Sequence, residues 1–395
     1  MRFNAIIYGP SFLTRYGIQF LIVALPWLLQ SKGYSLGQVS QVLLFYNVGS
    51  LLVGFLSTRF IHKLNSKKMI MWTGLFQSIL AVGAVGLSSM NYISLFMFLQ
   101  GVCLGLLRPL SKIWIFELSK RNEKNDVVSK AAFSEVLTAV GMTLGSVFGS
   151  LAVKFIQNEL HLFGYTSICL ITPVLVLTYF IRSMSMKKLE SITVNPKDSF
   201  LDFLRWVKND QSLALVLIIY LMSITVFKIW IVGVPYFLRN QNSSDIEAFL
   251  SMVLGMHPII FMIGQILAAK FVLKRFIQEK WVFLSIGLST LLQALFVGLG
   301  AFLSSKISIS FGILLGGGLI AALIYPLCIS ICEKHMLKHG ATFQRQLFLV
   351  LALAADIGQL LGSLLLWIFN AFHLTGLTAL LVPVCVVLFV MFINM

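Results

Sequence analysis

The chain has 395 residues, 58% of them apolar and 11% charged, with thirty Lys or Arg against fourteen Asp or Glu and a net charge of +16. A soluble protein carries about a quarter charged residues. With a mean hydropathy of +0.92, this composition excludes a soluble globular chain and turns most of the surface toward lipid. A nucleic-acid partner would need the excess Lys and Arg clustered on a folded surface, whereas in short loops they orient a membrane protein.

About twenty apolar residues cross a bilayer as a helix. Twelve stretches qualify, here spans 1 to 12: 6–30, 38–61, 69–88, 92–117, 131–156, 163–181, 213–238, 247–271, 281–303, 308–332, 346–370 and 374–394. Span 1 is too long for a cleaved signal peptide, is interrupted by Arg15, and has no small-residue cleavage site after it. Arg59, Lys63, Lys67 and Lys68 fill the loop after span 2, and comparable basic loops follow spans 4, 6, 8 and 10. With the first residue on the cytoplasmic side, twenty-two Lys or Arg fall on that side and four (Lys32, Lys154, Arg239, Lys306) on the other. This bias predicts twelve spans with both termini in the cytoplasm and leaves no surface for nucleic acid. The polar stretch 182–212 divides the chain, giving halves of 1–185 and 213–395 and a linker of 186–212. The five cysteines all lie within spans without metal-ligand spacing and read as small packing residues.

The halves repeat each other. Ile22-Val23-Ala24-Leu25-Pro26-Trp27 matches Ile231-Val232-Gly233-Val234-Pro235-Tyr236 at an offset of 209, and Gly54 matches Gly264 at 210. Arg108-Pro109-Leu110 matches Tyr325-Pro326-Leu327, and Gly141-x3-Gly145-Ser146 matches Gly358-x3-Gly362-Ser363, both at 217. Four ordered matches with a slowly growing offset predict two six-helix bundles related by an axis along the membrane normal, with substrate near the midplane between them.

Over its whole length the sequence resembles the major facilitator superfamily. Gly33-Tyr34-Ser35 with Gln38-Val39 resembles that family's first external loop, and Gly54-Phe55-Leu56-Ser57-Thr58-Arg59 its motif between spans 2 and 3, with Thr58 in place of the usual Asp. Gln100-Gly101 and Gly105 resemble the span-4 motif, whose usual Arg is Met97 here. The resemblance implies an all-α membrane fold of twelve transmembrane helices in two pseudo-symmetric six-helix bundles. It also implies a cytoplasmic lock, for which Gly54, Arg59 with Glu117, and Lys270 with Glu333 are the candidates. Gly141-x3-Gly145-x3-Gly149 resembles a glycine motif of proton-exchanging exporters, with Ser146 in place of its Pro; ordinary small-residue helix packing is the alternative.

Four cations lie inside spans: Arg15, Arg108, Lys112 and Lys228. An ionisable group near the bilayer centre costs about 2.5–3.5 kcal/mol even on the lenient insertion scale and therefore faces a cavity or a partner. Arg15, Arg108 and Lys228 are deep in spans 1, 4 and 7, which line the cavity in the resembled fold, and span 10 offers Tyr325. Cations in such a cavity favour an anion, and Tyr16 and Trp230 are placed to stack on an organic body. Gln19 joins them as a polar lining position, while Lys112 is equally placed to snorkel to the interface. Neutralisation by Glu135 or Asp356 is the alternative for the cations. Those two carboxyls and His257 are the proton-coupling candidates.

These residues point to a secondary active transporter, proton-coupled and working by alternating access, for a small organic anion or amphiphile, with export ahead of uptake. A broad drug exporter stays open, as does, from another class, an intramembrane enzyme or transporter-like sensor. No catalytic constellation occurs within one span and no ATP-binding Gly-rich loop in the cytoplasmic loops. The expected partners are a small anionic substrate, protons and the lipid bilayer. No cofactor or metal is implied, and the chain is expected to be a monomer in a bacterial-type inner membrane.

Overall fold

In the computed structural model, the residues described are 2–57, 66–83, 89–119, 137–138, 140–149, 164–166, 168, 171, 175, 207, 209–239, 256–257, 259–264, 266–267, 279–303, 307–339, 341–372 and 378–394. Regular structure among them is entirely helical. Span 1 is the helix Arg2–Ser31, span 2 Leu36–Ser57, span 3 Ser66–Gly83 and span 4 Met90–Ser119. Span 7 is Gln211–Arg239, span 9 Glu279–Phe302, span 10 Ile307–His339, span 11 Ala341–Ala371 and span 12 Leu381–Asn394, entered through the 3-10 turn Thr378–Leu380. Span 5 is represented by Val140–Gly149, span 8 by helical residues between 256 and 267, and span 6 by isolated helical residues. Five of these helices are long and apolar enough to cross a membrane. Spans 10 and 11 run past their expected ends, to His339 and back to Ala341, because the flanking polar residues continue the helix.

Helix is the necessary form for these stretches, since lipid offers backbone groups no hydrogen-bond partner. Where spans 1 and 2 meet, the chain stops one helix and starts the next with local bonds. Tyr34 N–H reaches Leu29 C=O at 3.1 Å, and Gly33 takes φ 85°, the left-handed residue that ends a helix. Ser35 and Gln38 then form a reciprocal capping box, Ser35 N–H to Gln38 Oε1 at 2.9 Å and Gln38 N–H to Ser35 Oγ at 3.4 Å. The residues resembling the family's first external loop are thus a helix stop joined to a helix start. The outer faces expose Phe55, Trp72, Ile79, Leu95, Trp281 and Phe302, a quantity of apolar surface that suits lipid.

Small residues let the spans approach backbone to backbone. Gly49, Gly101 and Gly105 sit where spans 2 and 4 touch: a Cβ on Gly101 would strike Tyr46 C=O, and one on Gly105 would strike Ser50 C=O. In span 5, Gly141, Gly145 and Gly149 face the carbonyls of Phe12, Tyr16 and Phe20 in span 1. In span 11, Gly358 and Gly362 face the carbonyls of Leu221 and Thr225 in span 7. From Phe12 to Leu221 and from Tyr16 to Thr225 the offset is 209, and from Gly141 to Gly358 and Gly145 to Gly362 it is 217. The offsets of the sequence repeat therefore recur as matching helix-to-helix contacts. One apolar cluster joins spans 1, 2 and 4 through Leu21, Leu25, Tyr46, Ile93 and Met97. A second joins spans 7, 9, 10, 11 and 12.

Span 2 crosses between these clusters by packing along span 11. Gly37 lies near Asn370 Nδ2 and Gly54 near Leu353 Cδ2, so seventeen residues up one helix match seventeen down the other. At 1.5 Å per residue that antiparallel seam is about 25 Å long, most of the apolar thickness of a bilayer.

Candidate functional site

The seam between spans 2 and 11 brings polar residues into the interior. Arg108 of span 4 forms an ion pair with Asp356 of span 11, its Nη1 donating to Oδ1. Ser50 of span 2 donates to the other carboxylate oxygen at 3.1 Å. One turn on, Gly54 opens the space beside this carboxylate: a Cβ there would lie 3.7 Å from Asp356 Oδ2. One turn the other way, Asn47 donates to Ser363 Oγ at 3.0 Å and to Gln359 C=O at 3.3 Å. Asp356 is buried at 4% exposure, so a charged carboxylate persists there only with such partners.

Lys228 differs from Arg108. Its side chain is 5% exposed, its Cβ stands against Gly362, and among the described residues its ammonium makes neither a hydrogen bond nor an ion pair. Arg108 is the charge it feels. Its counterpart at offset 209 is Gln19, which packs its Cβ on Gly145 and donates to Ser146 Oγ at 3.1 Å. The two positions share one packing niche. Span 1 fills it with an amide bonded to Ser146 and span 7 with a cation that has no partner among the described residues.

Arg15, Ile22 and Pro26 of span 1 are partly exposed, as are Ile224 and Ile231 of span 7, which match Arg15 and Ile22 at offset 209. Tyr16 is edge-on to Phe148 of span 5 with ring centroids 6.2 Å apart. His257 of span 8 stacks on Trp230 at 4.0 Å, flanked by Phe227 at 5.7 Å and Phe261 at 6.4 Å. Its other edge abuts Gly318 of span 10, where an added Cβ would lie 2.7 Å from Nε2.

The buried Tyr46 hydroxyl and Trp230 indole N–H have no hydrogen-bond partner among the described residues. Tyr46 is 1% exposed and stands within the fields of Arg108, Arg15 and Asp356. Tyr46 and Ser50 belong to no motif that the sequence displays, and Ser363 shows there as a repeat residue alone. The signal available was the four-residue spacing Tyr46, Ser50, Gly54, which puts them on one helical face.

Arg59, Glu135 and Lys270 lie outside the described residues, and so do the side chains of Lys112, Glu117, Tyr325 and Glu333. The interior site is therefore built from Arg15, Tyr46, Ser50, Arg108, Lys228 and Asp356, with the Trp230–His257 stack beside it. No group of three or more metal-binding side chains occurs among the described residues.

Comparison with known proteins agrees with this architecture. The family described as Major Facilitator Superfamily matches residues 9–363. The protein called TsgA homolog from Buchnera aphidicola subsp. Acyrthosiphon pisum (strain Tuc7) is 21% identical over 300 residues, 76% of this chain and 72% of that protein, and its equivalent from strain 5A matches equally. The crystal structure of nucleoside transporter NupG superposes with a TM-score of 0.69 at 13% identity, covering 99% of this chain and 98% of that one. A mutant of NupG gives 0.70 at the same identity, covering 98% of each. Identities this low carry the fold alone.

Proposed function

The chain belongs to the Major Facilitator Superfamily, and from that premise we propose that this multi-pass membrane transporter carries a small organic anion or amphiphile by alternating access between its halves, 1–185 and 213–395. The observation that carries the reading is Lys228. A buried ammonium with no partner among the described residues costs several kcal/mol, and an anionic solute is the partner that offsets this cost. Arg108 is already held by Asp356, so of these three groups it is Lys228 whose charge is left for an acid group.

Asp356 is the proton carrier in this proposal, since protonation frees Arg108 and unties span 4 from span 11. Glu135 and His257 remain coupling candidates, the second less so because its ring is enclosed by Trp230, Phe227 and Gly318. We place both termini in the cytoplasm and the protein in a bacterial-type inner membrane, as a monomer, on the strength of the loop charges and the fold. Export is the direction to test first. The glycine ladder behind that preference packs against span 1 carbonyls, as helix packing alone also requires.

One observation favours a second reading. The Phe227–Trp230–His257 stack sets aromatic rings beside the site, which suits a neutral ringed solute such as the nucleosides named for the solved structures. Proteoliposomes separate the two. Saturable counterflow of benzoate, succinate, citrate or phenyl phosphate, lost in Lys228→Met, supports the anion. Counterflow of uridine with no acid transported overturns it in favour of the second reading.

A further inference from the structure

Tyr46 stands with its ring in the apolar cluster of spans 1, 2 and 4, yet its hydroxyl has no hydrogen-bond partner among the described residues. Buried polar groups are almost always satisfied, and an exception calls for a reason. Phenylalanine would fill the same volume without leaving a donor unmade, so packing does not account for the oxygen. Its surroundings do. On the next turn of the same face Ser50 holds Asp356, the adjacent Asn47 holds Ser363, and the charges the hydroxyl feels are Arg108, Arg15 and Asp356. Gly101 lets span 4 lie directly against Tyr46 C=O, which an added Cβ would strike.

We propose that Tyr46 is a substrate-binding residue, its hydroxyl donating a hydrogen bond to the acid group of the transported anion beside the Arg108–Asp356 pair. The proposal rests on the anion reading above and adds a specificity element to it. The cations supply attraction that any negative solute feels, whereas a phenol hydroxyl supplies one directed donor and so selects solutes whose acid oxygen can accept from it. Span 2 thereby contributes one donor and span 7 one cation, Lys228, each within the field of Arg108. An acid bound between them contacts both halves of the chain. The hydroxyl is unsatisfied without solute because its partner is the solute.

Tyr46→Phe is close to isosteric and is the decisive variant. Wild type and variant are reconstituted into proteoliposomes, counterflow of benzoate, succinate, citrate, phenyl phosphate and uridine is measured, and thermal unfolding is followed in detergent. The expected result is a KM for the transported acid raised about tenfold, the factor set by losing one hydrogen bond to a charged group, with an unfolding temperature equal to or above wild type. A wild-type KM in the variant overturns the role of Tyr46 and leaves the anion reading standing. A lowered unfolding temperature overturns it too, because the hydroxyl then supports the fold. If wild-type protein carries uridine alone, or none of the five, the anion reading falls and this inference with it.

Discussion

Arg108 and Asp356, 248 residues apart in sequence, form an ion pair deep among the apolar helices, tying span 4 to span 11. Removing one partner leaves a buried charge alone, which costs about 3–5 kcal/mol, whereas replacing both with apolar groups of similar size is often neutral or stabilising. Arg108→Met and Asp356→Leu are therefore expected to lower the unfolding temperature in detergent strongly, and the double variant to recover most of the loss. Single variants as stable as wild type would contradict a charged pair at this site.

Lys228 reverses that expectation. With no partner among the described residues, its ammonium opposes folding, and Lys228→Met should raise thermal stability, on the order of 1 kcal/mol or more. The same substitution should abolish counterflow of the organic acid, and Lys228→Arg should retain part of it. Stability and transport moving in opposite directions is the signature of a binding residue. A destabilised Lys228→Met protein would mean that the ammonium is satisfied in the folded state.

The glycine contacts separate substitutions that look alike in sequence. A Cβ on Gly362 would sit 2.7 Å from Lys228 Cβ and 3.0 Å from Thr225 C=O, and one on Gly145 would sit 2.5 Å from Tyr16 C=O. Neither neighbour is the free end of a side chain, so Gly145→Ala and Gly362→Ala should each cost about 1–3 kcal/mol by forcing the helices apart. At Gly54 the neighbour is the tip of Leu353, 3.2 Å away, and at Gly312 nothing lies within 4 Å. Gly54→Ala should be mild and Gly312→Ala neutral or stabilising, as ranked by thermal unfolding. Equal losses at all four positions would refute the contact geometry.

Much of this was legible in the sequence, for identifiable reasons. An apolar run of twenty residues has essentially one solution in lipid, so the described spans fall where the runs predicted. The repeat was legible because matching helix contacts need matching small residues: Gly145 and Gly362 recur at 217 because Tyr16 and Thr225 recur at 209. Asp356 was recognisable as a counter-ion from its depth alone, but which cation it pairs with was not, since pairing span 4 with span 11 is set by how the bundles meet. The bonding roles of Ser50 and Ser363 were not legible because hydroxyls on apolar helices commonly bond their own preceding turn, as Ser78 does with Gly74 C=O at 2.9 Å. Tyr46 escaped because a tyrosine in an apolar cluster looks like core until its hydroxyl is found without a partner.

The seam between spans 2 and 11 yields a final prediction. Asn47 donates to Ser363 Oγ at 3.0 Å and to Gln359 C=O at 3.3 Å, so losing the serine hydroxyl leaves the amide one acceptor, while losing the amide leaves the hydroxyl to its own helix. Hydrogen bonds between membrane helices average about 0.6 kcal/mol with a maximum of about 1.7, because an unfolded helix in the membrane also finds partners. Ser363→Ala should therefore cost less than Asn47→Leu, and both less than either single change at the Arg108–Asp356 pair. The two residues share one bond, so their double variant should fall short of additivity by about 0.6 kcal/mol, measured as a double-mutant cycle in thermal or denaturant unfolding. Additivity within about 0.3 kcal/mol would mean that the contact carries no energy. The seam would then be held by the Ser50–Asp356 hydrogen bond and by side-chain packing such as Leu353 on Gly54.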